Sequence, residues 1–403
     1  MKEEYLRIGT SYFKIVRRPN IDAELKEVII PWNRPTIVDD HGKNYLKKID
    51  KYEGFIVKPS HIDYEPVFHK FYNKYMPLSH NLEIINKKGS TPYTFKFLKH
   101  IFKDQLEIGL DYLCIIWNRP TQILPILCLV SEERNTGKTT FLNWLNLIFE
   151  DNMTMNKNED FRSNFNSDWT EKIIIAIDEV LLDKREDSER IKNLSTSQVY
   201  KTEAKGKDKV ETPFYGKFVL CSNNEKNFIL IDEKEIRYWV RKISTLENVD
   251  PDLDVKLKEE IPQFIAFLNE RKIHLPKKTR MWFTKEQIHT EALDKLVKGT
   301  KANLEKEIIS IIEEMLEEFE LEEIKLTLND LQNALKDSYY KVSVNKINEI
   351  VKEKWKLTNP NSSYYQYYKS INPGTNEWQV SSKNEKGRCY TFKKEFIQGM
   401  LNC

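Results

Sequence analysis

The sequence predicts an α/β protein with a parallel sheet at its centre, and two observations carry this prediction. First, four short apolar runs show no polar alternation, which is typical of strands buried on both faces. Second, the first run leads into a Gly-Lys-Thr loop, and an amphipathic segment of helical spacing follows the loop. Strands alternating with helical segments favour a parallel sheet covered by helices. The four runs lie at residues 126–130, 173–177, 218–221 and 238–243.

The composition of the chain is that of a protein without a membrane span or a strongly charged surface. The chain has 403 residues, 64 basic against 62 acidic side chains and a net charge of +2, so a nucleic-acid surface would have to be local. No apolar stretch approaches the ~20 residues of a membrane helix, and the N-terminus has no signal-peptide core. The five cysteines lack metal-ligand spacing, so we expect reduced thiols, a cytoplasmic location and no membrane partner.

The flanks of the predicted core differ from it in pattern. Residues 1–92 are rich in aromatic and turn residues, and they predict a mixed region of unknown role. Apolar residues at helical spacing between 94 and 117 predict one or two helices at the start of the α/β core, which is expected to span 93–250. An amphipathic stretch from 253 to 271 then predicts a helical lid or linker over 251–298.

The last segment, 299–403, predicts a domain that resembles a winged helix. One apolar stripe predicts a helix over 304–319, and two shorter helices are expected at about 329–336 and 344–355. Strands are expected over 364–392 around two turns, Pro373-Gly374 and Lys386-Gly387. Three helices followed by a hairpin is the element order of a winged helix.

The loop between the first strand and its helix predicts a nucleotide site. Strand, loop, Gly-Lys-Thr and helix is the arrangement of a P-loop, whose backbone N–H groups surround the phosphates of ATP. Lys138 would reach the β- and γ-phosphates, and the Thr139 hydroxyl would ligate Mg²⁺. Glu132 replaces the first glycine of the full pattern. The residues expected to bind nucleotide are Asn135, Thr136, Gly137, Lys138, Thr139 and Thr140.

Polar residues end two further strands. Asp178 and Glu179 follow the run at 173–177, where the first acid would hold Mg²⁺ and the second would take a proton from the attacking water. Asn223 follows the run at 218–221 and could orient that water. The alternative for Asp178 is a helix cap, and the alternative for Asn223 is a turn-forming role.

These three motifs, in this order and within a short stretch of chain, resemble the superfamily 3 helicases, which are ring-forming AAA+ ATPases. The helicase parts of phage and plasmid primase-helicases are the most similar. The resemblance extends to 235–241 and implies an AAA+-like core in which Lys138 and Thr139 match the Walker A residues. Asp178 and Glu179 match the Walker B acids, and Asn223 matches the sensor asparagine.

The resemblance also implies two features outside the phosphate loop. Arg237 resembles the arginine finger that completes a neighbouring subunit's site, with Arg241 as the fallback and a structural salt bridge as the alternative. A β-hairpin that tracks DNA would lie at 199–210, where Lys205, Lys207 and Lys209 alternate around Gly206. Incidental lysines on a solvated hairpin tip are the alternative.

The resulting expectation is an ATP-dependent DNA helicase or translocase that forms a ring, expected to be a hexamer, and serves replication of a phage or mobile element. ATP and Mg²⁺ would be its cofactors, and single-stranded or forked DNA its partner. Because 1–92 contains no zinc-finger spacing or acidic cluster, either a separate protein would supply a primase or the system would need none. Two alternatives remain: an AAA+ ATPase for remodelling or defence, and an ATP-assembled initiator that binds duplex DNA through its winged helix.

Overall fold

A computed structural model describes most of the chain, and its residues divide into two units. The described residues are 4–19, 25–80, 90–163, 166, 169–182, 185–202, 210–231, 235–247, 250–337, 342–371 and 378–401. The first unit comprises Met1–Val180, Asn193–Asn223 and Ile236–His289. The second comprises Leu181–Lys192, Asn224–Glu235 and Thr290–Cys403. The finer domain boundaries expected from the sequence stay predictions.

The N-terminal part of the first unit is mainly β-structure. Its elements are β1 (Glu4–Ile8), β2 (Ser11–Pro19), β3 (Leu25–Trp32), α1 (Arg34–His41), β4 (Asp50–Tyr52), β5 (Gly54–Ile56), β6 (Val67–Phe68) and β7 (Phe71–Asn73). One sheet has the order β3-β2-β1-β4, in which only the β1–β4 pair is parallel. A smaller sheet has the order β5-β7-β6. Tyr5, Ile37 and Ile49 form a small apolar cluster between these elements.

The rest of the first unit contains the predicted parallel sheet. Its elements are α2 (Pro92–Phe102), α3 (Leu106–Asn118), β8 (Ile126–Val130), α4 (Lys138–Phe149), β9 (Met153–Asn156), α5 (Asn158–Arg162), β10 (Ile174–Ile177), α6 (Arg185–Thr196), β11 (Val199–Thr202), β12 (Val210–Pro213), β13 (Lys217–Ser222), β14 (Tyr238–Lys242), α7 (Leu253–Glu270) and α8 (Lys285–Ile288). Part of α6 belongs to the second unit.

Five strands form this sheet in the order β14-β8-β13-β10-β9, and every pair is parallel. All residues of β8, β10 and β13 are buried, as the apolar runs predicted. Side chains from α2, α3, α4 and α7 pack with the strands in one core that includes Trp144 and Phe264. The parallel sheet with helices that the sequence predicted is therefore confirmed.

The second unit contains α9 (Glu291–Glu318), β15 (Glu323–Leu326), α10 (Leu328–Asp337), α11 (Val344–Asn348), β16 (Asn361–Ile371), β17 (Trp378–Arg388), β18 (Tyr390–Lys393) and α12 (Lys394–Leu401). A π-helical turn, Glu349–Lys354, continues α11. β15 pairs with β18, and β16 pairs with β17, both antiparallel. The stripe predicted on α9 lies in a core of its own with Ile308, Ile312 and Leu316.

One turn expected from the sequence is wrong. Lys386 and Gly387 were expected to reverse the chain, but both lie within β17, where they pair with Ser363 and Ser362 of β16. Glycine in a strand leaves a gap that a neighbour can use, and Tyr364 lies beside Gly387. The other expected turn, Pro373-Gly374, lies outside the described residues.

Candidate nucleotide-binding site

The phosphate loop begins where β8 ends and closes at the first residue of α4. Asn135 has φ +54° and Gly137 has φ +85°, so two residues in the left-handed region bend the loop. Alternation of this kind turns successive backbone N–H groups toward a common centre, which is how a backbone binds an anion. A Cβ atom on Gly137 would lie 3.0 Å from a ring carbon of Phe97, and its positive φ would add strain. Glycine is therefore required by both backbone and space.

Neighbouring segments hold this loop by its backbone carbonyls. His100 of α2 donates from Nε2 to the carbonyl oxygen of Thr136 at 3.0 Å. The amide of Leu246 donates to the carbonyl of Asn135 at 3.0 Å. Because these two bonds use carbonyl oxygens of the loop, they stabilise its conformation and do not engage its backbone N–H groups. Sequence reasoning missed His100, because nothing in the sequence links α2 to a loop far along the chain.

Lys138 lies inside the loop rather than in solvent. Its side chain is 7% exposed, and Nζ donates to the carbonyl oxygen of Ser131 at 3.3 Å. Ser131 is the first residue after β8, so the Lys138 side chain reaches from the end of the loop back to its first residue. This is the position from which a lysine can contact phosphate oxygens held by the loop.

The predicted metal ligands are adjacent. The Thr139 hydroxyl donates to Oδ2 of Asp178 at 2.9 Å, and the amide of Glu179 donates to Oδ1 of the same carboxylate at 3.0 Å. Mg²⁺ in nucleotide sites is held by one or two side chains together with phosphates and water. The Thr139 hydroxyl and the Asp178 carboxylate therefore fit Mg²⁺. Among the described residues, no group of three His, Cys, Asp or Glu side chains forms a metal site.

Three strand ends meet through hydrogen bonds at the same edge of the sheet. Ser131 donates its amide to the carbonyl of Ser222 at 3.1 Å, linking the ends of β8 and β13. The amide of Val180 donates to the carbonyl of Cys221 at 2.8 Å, and the Ser222 hydroxyl donates to the carbonyl of Val180 at 3.0 Å. Asn223 follows directly and is exposed at this edge. The order β8-β13-β10 therefore brings the loop, Asn223 and the Asp178-Glu179 pair to one end of three adjacent strands.

Glu179 has an unusual backbone. Its φ is +52°, a region that residues other than glycine seldom occupy. The side-chain amide of Asn158, in α5, donates to the Glu179 carbonyl at 3.4 Å. Strained backbone of this kind concentrates at functional sites. Asn158 follows β9, a strand absent from the sequence prediction, so this contact was missed.

The two candidate arginines lie in different surroundings. Arg237 precedes β14, and its carbonyl accepts from the amide of Ile126, the first residue of β8. Since β14 and β8 are parallel, Arg237 lies at the N-terminal end of these strands, whereas the phosphate loop follows their C-terminal end. The two ends are about 13 Å apart along the strand. The structure therefore does not bring Arg237 into the site of its own chain.

Arg241 makes hydrogen bonds through its guanidinium to the segment that links α2 and α3. It is 5% exposed and donates to Gln105 Oε1 at 2.6 Å, to the Phe102 carbonyl at 2.5 Å and to Asp104 Oδ1 at 3.0 Å. These bonds fix the end of α2, which is the structural salt bridge that was the alternative interpretation. A guanidinium committed in this way is poorly placed to reach another subunit.

Two antiparallel strands lie where the sequence predicted a hairpin that tracks DNA. β11 and β12 are antiparallel, with Val199 opposite Pro213 and Thr202 opposite Val210. They come between β10 and β13 in the chain, where the hairpin was expected. Lys205, Lys207 and Lys209 lie outside the described residues, so their assignment stays a prediction.

The cysteines described in the first unit are buried thiols. Burial raises the pKa of Cys128 and Cys221, which keeps both protonated at neutral pH. The four described cysteines, Cys114, Cys128, Cys221 and Cys389, are free of disulfides. No helix within the described part of the chain is both long and apolar enough to cross a membrane.

Comparison with known proteins adds a fold relationship. Residues 129–241, from β8 to β14, match a family model described only as a family of unknown function, DUF5906. No curated protein sequence matches the chain significantly. The apo structure of the NrS-1 C-terminal region (305–718) is similar, with a TM-score of 0.57, 14% identity and coverage of 91% of this chain and 93% of that chain.

Another structure of the same NrS-1 region, described as its A form in the apo state, gives a TM-score of 0.55 at 17% identity, covering 79% of this chain and 77% of that one. The chain therefore shares the fold of the NrS-1 C-terminal region over most of its length. JCV helicase also matches, at 12% identity over 57% of this chain and 68% of that chain. Its TM-score of 0.30 is too low to support an argument.

Proposed function

We propose that the chain is an ATP-dependent helicase or translocase acting on single-stranded or forked DNA. The observation that carries the proposal is the contact of 2.9 Å between Thr139 and Asp178 at the mouth of the phosphate loop. It joins the hydroxyl and the carboxylate that would share one Mg²⁺, beside a buried lysine. A phosphate loop, a magnesium pair and a second acid are the parts that nucleoside triphosphate hydrolysis needs.

The chemistry assigned to each residue follows from its position. Lys138 and the N–H groups of 135–140 would bind the phosphates, and Thr139 and Asp178 would hold Mg²⁺ beside them. Glu179 accepts the proton of the attacking water, and Asn223 orients that water from the neighbouring strand end. Bound Mg²⁺ supplies charge neutralisation of the phosphates during transfer.

Support for a nucleic-acid motor comes from the β11–β12 pair and from the second unit. This pair lies in the chain between β10 and β13, the two strands that precede the proposed Walker B acids and the proposed sensor asparagine, so its movement could follow the state of the nucleotide. The second unit has the element order of a winged helix, with its long β16–β17 ribbon following three helices. Both features support a motor that grips a strand and works as a ring, with Arg237 acting on the next subunit.

Nucleotide binding and hydrolysis measured separately test this assignment. Lys138→Ala should abolish hydrolysis. Glu179→Gln should retain binding of a fluorescent ATP analogue yet lose on the order of 10²-fold or more in turnover, the usual contribution of a general base. Glu159→Gln is the matched control, an exposed acid in α5 outside the phosphate loop, and should turn over normally. Near-normal hydrolysis by Glu179→Gln would remove Glu179 as the base.

A further inference from the structure

The second unit exposes a long ribbon whose two faces differ. β16 and β17 pair over eleven residues each, from Asn361 opposite Arg388 to Ile371 opposite Trp378. Because side chains alternate along a strand, odd-numbered residues of β16 and even-numbered residues of β17 share one face. We call it the outer face; its twelve residues are Asn361, Ser363, Tyr365, Tyr367, Lys369, Ile371, Trp378, Val380, Ser382, Asn384, Lys386 and Arg388.

The outer face is unusually apolar for an exposed surface. Trp378 is 70% exposed, Tyr365 54%, Ile371 51% and Val380 49%. Scattered apolar residues are ordinary, but Ile371, Trp378 and Val380 are neighbours at one end of this face, and an exposed apolar group of this kind marks a binding surface. Tyr365 lies six residues before Ile371 on the same face and adds a second exposed aromatic ring. Trp378 is also the most exposed large hydrophobic residue among those the structure describes.

Contacts on both faces of the ribbon hold it in place. On the other face, the Tyr364 hydroxyl donates to Asp330 Oδ2 at 3.2 Å, and Gln366 donates to Asp330 Oδ1 at 3.3 Å. On the outer face, Tyr367 stacks on Phe319 with ring centroids 5.6 Å apart, and Lys369 pairs with Glu318. These contacts fix the ribbon against α9 and α10 while Tyr365 and Trp378 stay exposed.

The charge of the outer face indicates what covers it. The ribbon contributes three basic side chains and no acidic one to this face; Lys369 is paired with Glu318, and the exposed Lys386 and Arg388, which lie toward the base, carry the remaining positive charge. A cationic surface carrying exposed aromatic rings complements a polyanion with flat faces. Single-stranded nucleic acid has both properties, because its unpaired bases can stack on aromatic rings while lysine and arginine contact the phosphates. In a duplex the bases are already stacked on each other, so the rings would find no free base face.

We propose that the outer face of the β16–β17 ribbon binds single-stranded nucleic acid, with bases stacked on Trp378 and Tyr365 and phosphates at Lys386 and Arg388. This binding needs no nucleotide hydrolysis and no sequence preference. It is a second contact with the strand, separate from the β11–β12 hairpin. It would stand even if the chain hydrolysed no ATP, so its test is independent of the hydrolysis site.

Binding of labelled oligo(dT) by the full chain without nucleotide tests the proposal, using fluorescence anisotropy. The Lys205, Lys207 and Lys209 to Ala background removes any contribution of the hairpin. In that background, Trp378→Ala and Tyr365→Ala should each weaken binding by roughly 5- to 100-fold, the usual effect of losing one stacked base. Trp378→Phe keeps a ring and should bind within a few-fold of its parent. Tyr368→Ala is the matched control, because Tyr368 is 48% exposed on the other face.

Tryptophan fluorescence gives a second readout. Of the eight tryptophans, Trp117, Trp144, Trp169, Trp239, Trp282 and Trp355 are buried, so stacking at Trp378 should dominate any quenching by oligo(dT). Trp378→Phe should bind yet lose the quenching. The proposal is overturned if Trp378→Ala binds as its parent does, if Tyr368→Ala weakens binding equally, or if unlabelled duplex competes as well as single strand. Unchanged far-ultraviolet circular dichroism shows that each variant is folded.

Discussion

At the scale of single residues, the arrangement of the phosphate loop could be predicted from the sequence, while the roles of its residues stay predictions. Lys138 and Thr139 were assigned from the Gly-Lys-Thr loop and Asp178 from the end of a strand, and in the structure they contact one another or the loop backbone. The arrangement was predictable because it depends on local sequence: a glycine that tolerates positive φ, then a lysine and a hydroxyl at a helix start.

Charged residues that are buried could not be predicted in the same way. Lys217 is 3% exposed at the start of β13, where it donates to the Tyr215 carbonyl at 2.7 Å, and burial lowers its pKa to about 7. Arg241 is equally buried. Composition favours both residues at the surface, and only the tertiary partners of each side chain explain its burial.

The magnesium assignment predicts a specific effect at Thr139. Thr139→Ala removes one of the two proposed ligands, so half-maximal hydrolysis should need on the order of 10-fold more Mg²⁺ or greater. Thr139→Ser keeps the hydroxyl and should behave nearly as the wild type. A magnesium titration of ATP turnover measures both variants. Equal magnesium dependence in the alanine and serine variants would contradict the assignment.

At the scale of secondary-structure elements, the strands of the parallel sheet that are apolar runs were predictable, and β9 was not. β8, β10, β13 and β14 are apolar runs, whereas β9 reads Met-Thr-Met-Asn and lies at the edge of the sheet. Its four residues include two polar ones and are too few for a periodic signal. The order of strands was also beyond sequence reasoning, although the insertion of β13 between β8 and β10 is what brings Asn223 beside the phosphate loop.

The β11–β12 hairpin predicts a separation between hydrolysis and movement. Changing Lys205 and Lys207 to Ala should leave DNA-free ATP turnover intact, because neither residue belongs to the phosphate site. Binding of single-stranded DNA should weaken, and its salt dependence should flatten by roughly 0.7 in log–log slope for each phosphate that a lysine no longer neutralises. Affinity measured across a salt series checks this. An unchanged slope together with normal unwinding would show that these lysines do not contact the strand.

At the scale of the whole molecule, Arg237 is informative because its own chain does not use it at the phosphate site. It lies at the end of the strands away from the phosphate loop. An arginine in that position is available to act on the site of a neighbouring subunit. Arg237→Ala should therefore bind ATP but hydrolyse it on the order of 10³-fold more slowly. Arg241→Ala should instead lower thermal stability, because its guanidinium bonds hold α2.

Mixing variants decides whether the site is shared. Subunits carrying Arg237→Ala retain an intact phosphate loop, and subunits carrying Lys138→Ala retain the arginine, so mixed assemblies should recover part of the activity. ATP turnover across mixing ratios measures this recovery. Mixtures that never exceed the sum of the separate variants would argue against a site completed by a neighbouring subunit.

The central claim is that hydrolysis at the Thr139–Asp178 site drives separation of nucleic-acid strands. The most direct measurement follows ATP turnover and unwinding of a fluorescent forked duplex in one reaction, comparing the wild type with Glu179→Gln. We predict that the wild type separates the strands only with ATP and Mg²⁺, whereas Glu179→Gln binds the fork and leaves it intact. Wild-type protein that hydrolyses ATP but leaves forks with either tail polarity, DNA or RNA, unopened would contradict the claim and favour a remodelling ATPase or an initiator.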